Sequence, residues 1–263
     1  AFSSIPDLRL KTPGEAPWDR DVRITDDWLA FTHSERNPEQ PFFGFLFYDT
    51  PHGHRVPEDY PVKFQPYWKS VNKLALDQNF NPELIKNNYK STLHFVDNQV
   101  DRVLDDLRAR DLLDSTIVVI TGDHGQEFNE YGMNYWGHGS NFGQYQLRVP
   151  MMVHWPGQTA RRINYRTEHF EMAPTLMKGT LGCSATPSNY YATGKGLFMP
   201  PKRQWSIAHS YMDYALLLND MMLVSYPSGS VDALDYEMKP AKDYRLNPII
   251  TAEILRELSK FYE

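Results

Sequence analysis

A long amphipathic stretch between two apolar runs constrains this chain most. Asn81 is placed to cap a helix, and Pro82 stands at its first position, where the missing N–H costs nothing. From there Ile85, Tyr89, Leu93, Val96, Val100, Val103 and Leu107 recur at spacings of three and four, so one apolar stripe runs down a helix that needs a core to lie on. Before it, residues 41–48 (PFFGFLFY) form a nearly continuous apolar run of strand length, the pattern of a strand covered on both faces. After it, residues 116–121 are β-branched and read as a second buried strand. Strand, helix and strand in that order predict a βαβ unit, with parallel strands and a right-handed crossover. A third buried strand at 149–155 and a helix from about 168 to 181 extend it. The expected fold class is therefore α/β, a largely parallel sheet flanked by helices.

The flanking regions differ in character. The first forty residues are polar and punctuated by Pro6, Pro13, Pro17 and Pro38, with one short helical pattern near 24–31. Residues 182–203 are rich in Ser, Thr, Pro and Gly and read as a linker or surface excursion. Beyond it, 205–243 alternates short apolar runs with turns such as Pro227-Ser228-Gly229, which predicts a small antiparallel addition. A closing helix is expected over 249–262, with Ile250, Ile254, Leu255 and Leu258 on one face.

Composition excludes several classes. With 263 residues the chain buries about three quarters of its unfolded surface and needs neither metal nor disulfide merely to fold. Twenty-seven basic residues against 33 acidic ones give a net charge of −6, which argues against nucleic acid as a partner. The chain is 41% hydrophobic but has no apolar run near the roughly 18 residues of a membrane span, so a globular domain without such a span is expected. The N-terminus lacks the basic and apolar regions of a signal peptide, so any export signal or anchor is expected outside this chain. A single cysteine, Cys183, allows no internal disulfide.

Reactive residues gather at the predicted strand ends, where open parallel sheets bind ligands. Thr121-Gly122-Asp123-His124-Gly125 follows the second strand, and a carboxylate beside an imidazole there has the donors to ligate one divalent ion. His138 follows between two glycines, able to return to the same cleft through its loop. His52 and His54 follow the first strand in Thr50-Pro51-His52-Gly53-His54. Plainer roles are expected for the remaining candidates. His154 reads as a core residue, His169 and Glu171 as first-turn residues, Glu127 and Glu130 as surface carboxylates, and Arg161, Arg162 and Arg166 as a solvated basic face.

Taken together, Thr-Gly-Asp-His-Gly after a buried strand, Gly137-His138-Gly139, and Val149-Pro150-Met151-Met152-Val153-His154-Trp155-Pro156-Gly157 resemble the alkaline phosphatase and sulfatase superfamily. Pro51-His52 and Ala173-Pro174-Thr175-Leu176 match the same pattern in order and spacing. Within it, residues 188–200, with Tyr190, Gly194, Leu197 and Phe198, are similar to PbgA/YejM-type envelope proteins of Gram-negative bacteria. The resemblance implies that Asp123 and His124 are metal ligands, and that His138 and His52 bind a second metal or the phosphoryl or sulfuryl group. It further implies a divalent metal, Zn²⁺ or Mn²⁺ in preference to Mg²⁺ or Ca²⁺ on the mixed Asp and His donors. Residues 1–183 would be the C-terminal part of a sulfatase-like domain, and 184–263 a linker, small antiparallel region and closing helix packed on it.

One departure from the superfamily pattern stands out. Its members begin with a strand bearing acidic ligands and then a Thr, Ser or modified Cys nucleophile, and neither is found here. Cys183 is followed by Ser-Ala-Thr-Pro, not by the Cys-x-Pro-x-Arg of sulfatases, and Ser4-Ile5-Pro6-Asp7-Leu8-Arg9 carries its arginine one place late. The resemblance therefore implies either a metal-dependent hydrolase or transferase of phosphate or sulfate esters, present here without its nucleophile, or a non-catalytic module. The latter would bind an anionic lipid headgroup, lipopolysaccharide or cardiolipin. Both imply the periplasmic side of an inner membrane, with a membrane anchor outside this chain.

Overall fold

The computed structural model describes residues 11–241, 244 and 247–259; the segment Ser4 to Arg9 and the last residues of the closing helix lie outside them. The chain divides into two compact units, one of residues 1–137 and 149–158, the other of 138–148 and 159–263.

In the first unit, helix α1 (Pro17–Ala30) starts earlier than the apolar pattern predicts and continues into a π-helical turn, Phe31–Glu35. The side chains it buries, Asp21, Thr25 and Trp28, follow helical spacing, but two of them are polar. That stripe lies along the irregular segment 41–49. The Thr25 hydroxyl meets the Tyr48 hydroxyl at 3.1 Å, and the Trp28 ring comes so close to Gly44 that a Cβ there would lie 2.5 Å from it. Helix α2 (Thr50–Gly53) is a single turn, and α3 (Pro82–Ala109) is the long helix expected. Asn81 caps α3, its side-chain oxygen accepting the Glu83 N–H at 3.0 Å.

Helix α3 buries a face rotated from the apolar stripe: Ile85, Asn88, Ser91, Thr92, Phe95 and Gln99 are buried, while Leu93 is exposed. Asn88 explains why polar groups go inside. Its oxygen accepts the Trp68 N–H at 2.7 Å, and its nitrogen donates to the carbonyls of His54 and Trp68. A buried amide with its donors and acceptor engaged clamps two loops that carry no ladder of their own.

Two expectations are corrected here. Residues 41–48 carry no regular secondary structure and form no ladder with the described residues, and Phe43, Phe45 and Phe47 are exposed at 83%, 78% and 55%. A continuous apolar run reports burial propensity and does not name a hydrogen-bonding neighbour. The sheet is also not parallel among the described residues. Strand β1 (Val118–Thr121) pairs antiparallel with β4 (Met151–His154), Val119 opposite Val153, because the intervening chain returns in the opposite direction. Between them β2 (Glu127–Phe128) and β3 (Trp136–Gly137) form a short antiparallel pair. Val118, Ile120, Met152 and Leu104 wall an open apolar groove of about 340 Å³. His154, expected in the core, is exposed beside this groove, its Nε2 3.1 Å from the Leu113 carbonyl.

The second unit holds the short helix α4 (Gln144–Leu147) and helix α5 (Met172–Thr180), which a turn of 3₁₀ helix, His169–Glu171, precedes. The expected C-terminal antiparallel sheet is present. It has four strands in sequential order, β5 (Ser206–His209), β6 (Tyr214–Leu217), β7 (Met221–Ser225) and β8 (Val231–Asp235). Helix α6 (Pro248–Leu258) packs on it: Ile254 joins Trp205, Leu216 and Leu223 in one apolar cluster.

Candidate functional site

Asp123 and His124 stand just past the carboxyl end of β1, where Thr121 Oγ1 donates to the Pro150 carbonyl at 2.9 Å and ties the turn to the chain entering β4. Both side chains are exposed. Asp123 Oδ1 accepts the His124 backbone N–H at 3.0 Å and lies 3.7 Å from His124 Nε2. His124 Nδ1 is 2.8 Å from the Gly125 carbonyl, an oxygen that can only accept, so Nδ1 carries the proton. Nε2 is then the lone-pair nitrogen, the form in which an imidazole ligates a metal, with its other nitrogen held by a carbonyl. Two donors of a tetrahedral Zn²⁺ site at their usual bond lengths stand about 3.3 Å apart, so a small side-chain rotation brings this pair into register. The donor chemistry thus fits a divalent ion, but only as part of a ligand set. Among the described residues no group of three or more His, Cys, Asp and Glu side chains is arranged to hold a metal ion.

The two histidines after segment 41–48 separate sharply. His52 is exposed on α2, its backbone carbonyl 3.3 Å from the Lys73 ammonium. His54 is 3% exposed and sits at φ 53°, the left-handed region uncommon for a residue with a Cβ. Its ring packs against Tyr89 of α3 and Phe128 of β2, with centroids 5.8 and 5.9 Å apart. Burial pushes the Tyr89 hydroxyl above its usual range, and the Asp123 carboxylate adds to that. His54 therefore belongs to the neighbourhood of the Asp123 turn, although spacing alone favours neither histidine of the pair.

Glu127 is a further correction. It is fully buried in β2 and not at the surface, and the ladder sets it opposite Gly137, the residue before His138. Glu130 accepts the Phe128 N–H at 2.5 Å and pairs with Lys86 at 3.1 Å, which fixes the turn after β2.

In the second unit His138 is half-buried. The loop behind it is built by Gln146, whose side-chain oxygen accepts the N–H groups of Ser140 and Asn141. Glu171 lies in the turn that opens α5, as expected, and is buried there. It accepts the Glu168 N–H at 3.1 Å, and burial holds its carboxyl above the ordinary range. Arg161 stacks over Phe198 with 5.4 Å to the ring centroid, whereas Arg166 reaches the Leu218 carbonyl, so the expected basic cluster is divided between different partners.

Comparison with known proteins adds identity to this geometry. The sulfatase family model matches residues 7–182. The inner membrane protein YejM of Salmonella typhimurium is 32% identical over 195 residues, covering 74% of this chain and 32% of its own length. The chain thus spans about a third of that relative. Among solved structures, the phosphonate monoester hydrolase of Agrobacterium radiobacter superposes with a TM-score of 0.60 at 16% identity, over 94% of this chain and 62% of that one. A putative sulfatase from Bacteroides thetaiotaomicron gives 0.58 at 18% identity, over 97% and 65%. These two likenesses concern the fold alone, mixed α/β with a C-terminal antiparallel sheet.

Proposed function

The chain belongs to the sulfatase family, and from that premise we propose that it is part of a metal-dependent hydrolase or transferase of phosphate or sulfate esters in the bacterial envelope. The observation that carries this reading is the Asp123–His124 pair beyond β1, with Nε2 and Oδ1 converging and Nδ1 held by a carbonyl. These two residues would hold the ion, Zn²⁺ or Mn²⁺ by donor type. When bound, it supplies Lewis-acid polarisation of the phosphoryl or sulfuryl oxygen. His138 and His52 would bind the non-bridging oxygens or hand a proton to the leaving alcohol.

On this reading none of the described residues fills the nucleophile role, and that group would come from elsewhere in the protein. The bare Phe43, Phe45 and Phe47 and the open groove beside β1 and β4 support this, being apolar surface that a further layer of the domain would cover. The periplasmic side of the inner membrane is the matching location, given a relative described as an inner membrane protein. No helix among the described residues is long and apolar enough to cross a membrane.

Two outcomes follow. The purified chain should show no turnover of aryl phosphates or sulfates; metal-dependent turnover abolished by Asp123→Ala would overturn the division of the site. Calorimetric titration with Zn²⁺ and Mn²⁺ should give binding weaker than micromolar, because two protein ligands are present where a tight site has three or four. Sub-micromolar binding lost in His124→Ala would show the site to be complete as it stands.

A second reading is a sulfatase-like fold retained as a non-catalytic module that binds an anionic lipid headgroup, lipopolysaccharide or cardiolipin. The lack of a third ligand among the described residues favours it. Supplying the nucleophile-bearing segment that the catalytic reading requires separates the two: only that reading gains metal affinity.

A further inference from the structure

We propose that Tyr211, at the tip of the β5–β6 hairpin, is a specificity-determining residue beside His138, taking the flat ring face, aryl or sugar, of an ester's alcohol part. This rests on the reading that His138 takes part in ester binding.

The hairpin is closed tightly. His209 pairs with Tyr214, and the Ser210 N–H donates to the Asp213 carbonyl at 2.8 Å, leaving only Tyr211 and Met212 in the loop. Neither loop residue has a positive φ, so the turn does not call for Gly or Asn, and the two large side chains there are 90% and 71% exposed. The tip therefore presents an uncovered apolar pair to solvent.

The position of the tip says what it binds beside. Ser210 Oγ donates to the Gly139 carbonyl at 2.8 Å. The Tyr211 ring edge lies against Gly139, whose added Cβ would come within 3.4 Å of Cε2. Gly139 sits at φ +73°, so the residue after His138 is glycine for its backbone. The hairpin is thus fastened to the loop that carries His138.

Ester recognition divides into two tasks. Polar groups hold the tetrahedral anion, while the alcohol needs an apolar surface of defined shape. A tyrosine on a short hairpin offers a large ring with two side-chain torsions to immobilise, and it stacks on flat faces.

The test compares binding of 4-nitrophenyl sulfate and methyl sulfate to the 263-residue chain by NMR titration. Wild type should prefer the aryl ester, and Tyr211→Ala should lose about two- to tenfold in aryl ester affinity while its methyl sulfate affinity is unchanged. Tyr211→Phe should keep the preference. An aryl preference that survives in Tyr211→Ala overturns the proposal. So does Tyr211-dependent binding to phosphatidylglycerol vesicles without any aryl preference, which would assign the tip to a membrane surface. If neither ester binds, or if His138→Ala leaves methyl sulfate affinity unchanged, the failure lies in the ester-site reading, and the proposal falls with it.

Discussion

Gly194→Ala is expected to destabilise the second unit by about 3 kcal/mol or more, at or beyond the upper end of ordinary overpacking. An added Cβ would lie 2.2 Å from the Phe170 carbonyl oxygen, 2.4 Å from its carbon and 2.7 Å from Glu171 Cα. These are backbone atoms, so no rotamer change relieves the clash. Phe170 and Glu171 belong to the 3₁₀ turn leading into α5, and Thr175 Oγ1 of α5 accepts the Leu197 N–H at 2.8 Å. Separating Gly194 from that turn therefore strains a link three residues on. Thermal denaturation should show a midpoint roughly 6 to 12 °C lower. Gly53→Ala is the control, because its Cβ would meet Pro17 at 3.6 Å, an ordinary contact. Equal stability of Gly194→Ala and wild type would mean that the segment around 194 does not pack as described.

Asp21→Ala is expected to cost about 2 to 4 kcal/mol, since it strands one buried and one half-buried N–H donor. Fully buried on α1, Asp21 accepts the N–H of Asp49 at 2.8 Å and of Thr50 at 2.9 Å, and so fixes the start of the turn that carries His52 and His54. Burial raises its carboxyl above the ordinary 3.8, opposed by these hydrogen bonds. A raised carboxyl contributes stability that is fully present below the unfolded value and is lost as pH rises through the folded one. Asp21→Asn does not titrate, so its stability deficit against wild type should widen as the pH falls from neutral to below 3.8. Urea denaturation of both proteins at the two pH values measures this. A deficit that narrows in acid would mean that the hydrogen bonds outweigh burial and lower the carboxyl instead.

Asp21 also marks where sequence reasoning stops. The long helix, its Asn81 cap, the strands at 118–121 and 151–154 and the C-terminal sheet were legible because periodicity and capping are local properties. Pairing is not local. Nothing in residues 41–48 or 116–121 says whether a neighbour runs parallel, or whether it is present at all. Buried polar groups are likewise invisible to hydropathy: Glu127 reads as a surface carboxylate and is interior, and nothing in the pattern marks Asp21, Thr25 or Asn88 as buried. Asp123 and His124 were legible as a motif, and the structure sets them side by side just past β1, without a third ligand among the described residues. His54 was outweighed by His52 because two histidines two residues apart carry no signal of which one turns inward.

The interrupted first unit has a consequence for synthesis on the ribosome. β1 and β4 are partners, yet residues 138–148, which belong to the other unit, emerge between them. β1 must therefore wait for some thirty further residues before it has a ladder, while His138 and Gly139, just past the β2–β3 pair, still lack their contact with the hairpin. Their anchor, Ser210 in the hairpin, is translated some seventy residues later still. At about 5 to 20 residues per second, that leaves the His138 loop without its partner for several seconds. The candidate site is consequently among the last features of the chain to form, and substitutions in the hairpin act on a step that follows assembly of the first unit's sheet.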